Sequence, residues 1–216
     1  AMWLPMKPAP PVTQMVEPIN NPPVLEREFY QRPTEEVARD LLGKLVVRTH
    51  PDGKVVVRLT EVEAYLGVDV PACHTYGGRR TRRTETMWGE AGYAYVYRVY
   101  GIHHCFNVVT VGPDRPEAVL IRGAEVVGGF DLARTRRGSS VRDGSLADGP
   151  GKLCRALALD CLDDGTNRCA SDSSLRIHDD GYRAEEDLVR RLPRVGVDYA
   201  GEAASWPLRL MTVSIV

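Results

Sequence analysis

Glu61 and Glu63 stand two residues apart at the end of an apolar run, Val55–Ala64, and a segment poor in apolar residues follows at once. In an extended chain that spacing puts both carboxylates on one face. A carboxylate at a strand end beside a long loop is placed to act as a general base; a solvated strand face would look the same. Tyr93, Tyr95 and Tyr97 share a face by the same alternation, and Tyr100 follows at a turn before Gly101. Flat rings stack on nucleobases, at roughly 1–3 kcal/mol per base in single-strand binders, though core tyrosines with satisfied hydroxyls fit the pattern as well. Gly77-Gly78-Arg79-Arg80-Thr81-Arg82-Arg83-Thr84 is basic, flexible and rich in hydroxyls. Guanidinium forks and backbone N–H groups of this kind suit phosphate oxygens, and a solvated surface loop has a similar composition. Gly149-Pro150-Gly151-Lys152 sets free N–H groups and a lysine at a helix start. That can take a phosphate, but it lacks the spacing of a nucleotide P-loop and also reads as a plain turn.

Metal chemistry finds less support. His74 follows Cys73, and His103-His104 precede Cys105. Adjacent residues in a strand point to opposite faces, and no carboxylate motif completes a ligand set. The five cysteines are odd in number and none has C-x-x-C spacing. Reduced thiols are expected, with no disulfide framework, no structural zinc and no cofactor.

The elements that must carry these groups are legible in outline. Residues 1–23 hold seven prolines and read as an extended or mobile arm, with a folded domain over 24–216. Pro33-Thr34-Glu35-Glu36 opens a helix with Thr34 as N-cap; Val37, Ala38, Leu41 and Leu42 form its apolar face, and Gly43 ends it. Leu45–Arg48 and Val55–Ala64 read as strands joined at Pro51-Asp52-Gly53. Gly67–Glu90 reads as a long loop, a common seat of function. Tyr93–Val99, Cys105–Val111 and Ala118–Ala124 are further strands, Leu153, Ala156 and Leu157 make a second helical face, and Pro207–Val216 closes the chain as a strand. Hairpin-linked strands with few helices predict an α+β domain with a largely antiparallel sheet.

The formal net charge of −1 argues at first against a nucleic-acid partner. Its distribution argues otherwise. His74–Arg142 carries 11 basic and 6 acidic residues, whereas Asp143–Asp187 carries 5 basic and 11 acidic. One cationic face is therefore possible. No apolar run approaches the roughly 18 residues of a membrane span, and Ala1–Pro5 does not read as a secretory leader. A base candidate, stacking tyrosines and a basic loop are together the parts needed for chemistry on a base taken out of a duplex.

At this level the motifs resemble the alkyladenine (3-methyladenine) DNA glycosylases. The resemblance is carried, in order and at close spacing, by Glu61-Val62-Glu63-Ala64-Tyr65-Leu66-Gly67, Cys73-His74, Gly77-Gly78-Arg79 and Tyr95-Val96-Tyr97 running into Tyr100-Gly101, with Asn107 beyond. Val119–Glu125 and Gly149–Cys154 continue it, and it covers about residues 25 to 212. The resemblance implies a curved sheet like that of the formyltransferase C-terminal domain, with a protruding hairpin that inserts into DNA. It implies a monomer that acts on double-stranded DNA containing a damaged purine, away from membranes: in the cytoplasm at the nucleoid of a bacterium, or in a eukaryotic nucleus. By the same resemblance Glu63 would activate water and Arg122 would position that water and Glu63. Tyr65, His74 and Tyr97 would sandwich the flipped base, with Asn107 at its edge rejecting guanine. Tyr100 would fill the gap in the duplex. The loop around Arg79 and Thr81, a hairpin near Met87, and Lys152 would hold the DNA backbone.

Some positions depart from that pattern. Trp88 and Glu90 stand at an expected hairpin tip where relatives are more apolar or more basic, His103 and His104 follow Tyr100 where apolar or aromatic residues are common, and Arg82 replaces a common proline. These changes concern DNA grip and wedge geometry. Two other readings stay open: a module that binds distorted DNA without catalysis, which would not need Glu63 or Arg122, and a different enzyme on a related scaffold.

Overall fold

The computed structural model describes residues 22–212. Residues 1–21, most of the expected arm, and 213–216, the end of the expected closing strand, lie outside the described residues. Pro22 and Pro23, expected in the arm, are tied into the fold: their carbonyls accept from His178 Nδ1 at 2.6 Å and from the Asp179 N–H at 2.9 Å.

The elements run α1 (Arg27–Tyr30), α2 (Thr34–Leu41), β1 (Leu45–His50), β2 (Gly53–Tyr65), β3 (Ala94–Val99), β4 (His103–Gly112), β5 (Arg115–Gly128), α3 (Phe130–Arg137), α4 (Pro150–Ala156), β6 (Leu175–His178), β7 (Val189–Leu192) and β8 (Arg209–Thr212). Among the described residues every strand pair is antiparallel. The sheet runs β3-β4-β5-β2-β1-β6, and β8 joins β2 to β7, which makes a curled half-barrel. The α+β expectation holds.

Side-chain alternation divides the sheet into two functions. Val55, Val57 and Leu59 of β2, Ala94 and Val96 of β3, Phe106 and Val108 of β4, and Val119 and Ile121 of β5 belong to the main core, where α2 packs Val37, Ala38 and Leu41. The intervening residues therefore face the other way: Tyr95 and Tyr97, Cys105 and Asn107, Ala118 and Leu120. A paired irregularity adds the acids to that second face. The β2–β5 ladder pairs Leu59 with Ala124, then Glu61 with Gly123, then Val62 with Ile121, passing over Thr60 and Arg122. Core positions change parity across it, from Val55, Val57 and Leu59 to Val62 and Ala64, and from Val119 and Ile121 to Ala124 and Val126. Bulges bend a strand and re-aim its side chains, and here Glu61, Glu63 and Arg122 come to the same place. Gly123 is part of the device, since a Cβ there would lie 3.2 Å from both Cβ and Oε2 of Glu61.

One cap is corrected. Thr34 is the first helical residue of α2, and Pro33 is its N-cap. The Thr34 hydroxyl is buried against the sheet, so it turns across to donate to Glu117 Oε2 at 2.6 Å, with Thr110 Oγ1 at 2.7 Å. The long loop of residues 66–93 contains three single 3-10 turns, Gly67–Asp69, Tyr76–Gly78 and Glu85–Trp88. The expected hairpin near Met87, with Trp88 and Glu90 at its tip, is the last of these turns. The chain does form a hairpin farther on, between β3 and β4, whose register ends at Val99 and His103.

Candidate active site

On the second face of the sheet, beneath residues 67–90 and 193–205, lies a cavity of about 210 Å³. It is smaller than the roughly 300–1,000 Å³ of drug-sized ligand sites and suits one flat ring system. Tyr65, His74, Tyr97, Asn107 and Arg122 all line it, and Tyr100 reaches its rim.

Glu63 lies behind that lining, bonded to two residues of it, Tyr65 and Val195. It is 1% exposed. Its Oε1 accepts the Val195 N–H at 2.9 Å, and its Oε2 accepts the Tyr65 hydroxyl at 3.0 Å. Arg122 Nε lies 3.5 Å from Oε1. Burial pushes the carboxyl pKa above its ordinary value, while the Val195 N–H, Arg122 and the Tyr65 hydroxyl oppose that rise. The result is a desolvated carboxylate held from three sides, a suitable base for a water molecule.

Glu61 has another occupation. Its Oε1 accepts from Arg122 Nε at 2.9 Å and from Arg209 Nη1 at 2.8 Å. Arg122 thus bridges both acids, with Glu61 as its main anchor.

His74 and Tyr97 meet edge to face, with ring centroids 4.7 Å apart and planes at 75°. They form a corner of the cavity, not two parallel plates. His74 Nδ1 lies 2.9 Å from the Tyr95 hydroxyl. Burial, then the charges of Arg83 and Arg79, push the His74 pKa down to about 4, so the ring is neutral near pH 7. Asn107 pairs with Tyr95 across the β3–β4 ladder, and its Nδ2 donates to the Tyr95 carbonyl at 3.1 Å.

The residues expected to hold a DNA backbone fall into different positions. Arg79 and Thr81 are exposed in a cleft beside the cavity that also contains Arg83. Met87 does not face solvent: it is 3% exposed and packs with Tyr95, Val109 and Ala118. Its apolar side chain is a wall of the cavity. Lys152 is already paired with Asp148, four residues earlier, at 2.7 Å, and the cavity contact of that segment is Pro150. Tyr100 is 90% exposed at the tip of the β3–β4 hairpin. Its φ of 51° is followed by 73° at Gly101, and the Ile102 N–H closes the turn on the Val99 carbonyl at 3.3 Å.

Sequence reasoning missed three contributions. The Val195 N–H is a backbone donor and leaves no trace in residue types. Tyr199 is exposed at the rim, with its hydroxyl 3.5 Å from the Ala72 carbonyl. Arg83 stacks its guanidinium 4.8 Å above the Tyr97 ring, a role that composition, which puts it only in the basic loop, does not reveal. Among the described residues no three His, Cys, Asp or Glu side chains are grouped to hold a metal ion, and no helix is long and apolar enough to cross a membrane.

Comparison with known proteins bears on the same residues. The family model described as methylpurine-DNA glycosylase matches residues 28–214. A protein of Methanocella arvoryzae named "Putative 3-methyladenine DNA glycosylase" is 45% identical over 190 residues, which cover 87% of this chain and 91% of the relative. Proteins with the same name from Streptomyces avermitilis and Bdellovibrio bacteriovorus are 46% identical over 182 residues and 40% identical over 186. The shared segments cover 84% and 86% of this chain, and 85% and 93% of those relatives.

Proposed function

The chain belongs to the methylpurine-DNA glycosylase family and is a base-excision repair enzyme, a hydrolase of N-glycosyl bonds, and from that premise we propose that it flips an alkylated or deaminated purine out of duplex DNA and cuts its glycosidic bond with water activated by Glu63. The observation that carries this reading is the juxtaposition of a buried, three-sided carboxylate with an aromatic cavity the size of one base.

The reaction follows from the groups present. The bond between the purine nitrogen and C1′ breaks toward an oxocarbenium-like sugar, and its electron pair leaves with the base. A purine alkylated on a ring nitrogen carries positive charge and departs neutral, whereas a neutral deaminated purine must gain a proton on the base to depart neutral. Water adds to C1′, and its proton passes to Glu63, leaving an abasic sugar and a free purine. Arg122 holds Glu63 and the water in place. Tyr65, His74 and Tyr97 enclose the base. Neutral His74 adds no charge that would repel a cationic purine. Asn107 sits at the base edge, where it disfavours the exocyclic amino group of guanine. Tyr100 enters the space vacated in the stack, and Arg79 and the Thr81 segment hold the strand as a monomeric protein engages it. Among the described residues no lysine lines the cavity, which favours an abasic product without strand cleavage through a Schiff base. The place of action is wherever the cell keeps its DNA.

The deciding experiment is single-turnover excision from a panel of duplexes, each with one defined lesion, scored for abasic sites. Release of alkylated purines by the native protein and loss of that release in Glu63→Gln are expected. An inert native protein that still binds lesion-containing duplex would instead favour recognition without catalysis.

A further inference from the structure

Arg194 is a charged residue where an apolar one would pack more cheaply. It is 4% exposed and forms no ion pair among the described residues. Near it lies a small cluster of Val70, Ala72, Cys73, Val197, Ala200 and Ala203, and its charge is felt at Cys73. A buried guanidinium without a carboxylate keeps part of its desolvation cost, which only neutral partners offset. What an arginine adds over an apolar residue here is therefore set by those partners.

Two contacts of Arg194, Ala64 and Tyr65, are the residues that follow Glu63, and Tyr65 lines the cavity. Nη1 donates to the Ala64 carbonyl and Nη2 to the Ala203 carbonyl, each at 3.1 Å. The guanidinium lies 5.0 Å over the Tyr65 ring. Ala64 is the residue between Glu63 and Tyr65, and Val195, next in the chain to Arg194, gives its N–H to Glu63 Oε1. One planar fork thus ties residues 193–205 to the end of β2 where the carboxylate and the stacking tyrosine stand. We infer that Arg194 is a positioning residue for the reaction: it holds the Val195 N–H on Glu63 and fixes the Tyr65 ring from behind. The inference rests on the reading of Glu63 as the general base.

The consequence is a coupling between the fork and the acidity of Glu63. The Val195 N–H favours the ionised carboxylate against burial. The other groups facing Glu63 are Tyr65 and Glu61 on β2, Arg122 on β5, Cys105 on β4, and Arg209 on β8 through Glu61. None of these is bonded to Arg194 except Tyr65, through its ring. Loss of the fork loosens the Val195 donor, leaves burial less opposed and lets Tyr65 tilt.

The test is the pH profile of single-turnover excision for native protein, Arg194→Met, Arg194→Lys and Glu63→Gln, each corrected for folded fraction by thermal unfolding. Arg194→Met should be slower by about tenfold or more, with its acid limb moved to higher pH and its affinity for undamaged duplex unchanged. Arg194→Lys keeps a charge behind Tyr65 but reaches only one carbonyl, so it should recover part of the rate. A rate per folded molecule and an acid limb equal to native in Arg194→Met would overturn the inference, whatever happens to its melting temperature. If Arg194→Met does not fold, Arg194→Lys decides: a shifted limb supports the coupling and an unmoved limb refutes it. Near-native excision by Glu63→Gln would refute the general-base reading itself. An inactive Glu63→Gln beside unmoved limbs in both Arg194 variants would refute only the role of Arg194.

Discussion

Glu61 and Glu63 are two identical residues that the fold separates by partner. The period of two is enough to place both on one face, but it cannot say which one is desolvated. That depends on the loop of residues 193–205, which covers Glu63 and leaves Glu61 against Arg122 and Arg209. Glu63→Gln should lower excision by on the order of 10²-fold or more while duplex binding persists. The sequence alone suggests that Glu61→Gln does much less. The geometry raises that expectation to an intermediate loss, because Glu61 anchors the guanidinium that serves both acids. Single-turnover rates decide, and equal losses at both positions would remove the distinction. The pH dependence follows with a definite sign. Glu63 must be ionised to take a proton, and burial raises its pKa above the usual 4.5. Activity should therefore fall as pH drops, with a midpoint above that of an ordinary carboxylate. His74, pushed down to about 4, adds no inflection near 6.5. An acid limb that His74→Gln abolishes and Glu63→Asp leaves in place would reverse the two assignments.

At the scale of elements, the strands and α2 are readable because apolar residues alternate or recur along them. The features that aim the site are harder to see. Val55, Val57, Leu59, Val62 and Ala64 do record the change of parity across the β2–β5 irregularity, but the apolar Val56 blurs it into one continuous run. The strands β6 and β7 have four residues each and include arginines, too few positions to show a period. In α3 only Ala133 is buried, so no stripe marks it. The turn between β3 and β4 is legible through Tyr100, which breaks the tyrosine alternation before Gly101. The fold adds that Tyr100 holds a left-handed φ of 51°, a conformation costing about 1–2 kcal/mol for a residue with a side chain, and that its ring is almost wholly in solvent. Strain retained at an exposed aromatic tip points to a functional role. Tyr100→Ser should melt near the native temperature, because the ring has little packing to lose. Its excision defect should be largest for a well-paired lesion and smallest opposite a mismatch, since extrusion costs a few kcal/mol and a plug offsets part of that cost. Tyr97→Ser should show a defect independent of the opposing base. A Tyr100→Ser defect of the same size opposite every base would remove the wedge role.

For the whole molecule, a net charge of −1 conceals a division of labour. Many carboxylates of the acidic stretch from Asp143 to Asp187 are engaged elsewhere, although Asp160 and Asp164 share a cleft with Arg82, Arg83 and Arg98. Asp163 pairs with Arg48, Asp179 with Lys44 and Arg183, Asp180 with Arg58, Asp143 with Arg134, Asp148 with Lys152, and Glu186 with Arg39. Asp164 is occupied by the Val96 N–H and the Thr86 hydroxyl. What remains without an ion pair among the described residues includes Arg79, Arg82, Arg83 and Arg98, which lie around two clefts flanking the base cavity. Composition could show the segregation along the chain but not which cations stay free, because four of these pairs join residues more than a hundred positions apart. A polyanion meeting this face displaces its own counterions, and the number displaced sets how steeply affinity falls with salt. Arg79 and Arg83 offer the clearest test, since both are exposed. Replacing both with Ala should weaken binding to damaged and undamaged duplex alike and reduce the slope of log affinity against log salt by up to about 2, near one unit for each phosphate no longer neutralised. Arg83 has a second role, its stacking on Tyr97, so Arg83→Ala should also slow excision at saturating enzyme while Arg79→Ala should not. A salt slope unchanged in the double variant, or a binding defect confined to lesion-containing DNA, would show that these arginines serve the cavity and not the phosphate backbone.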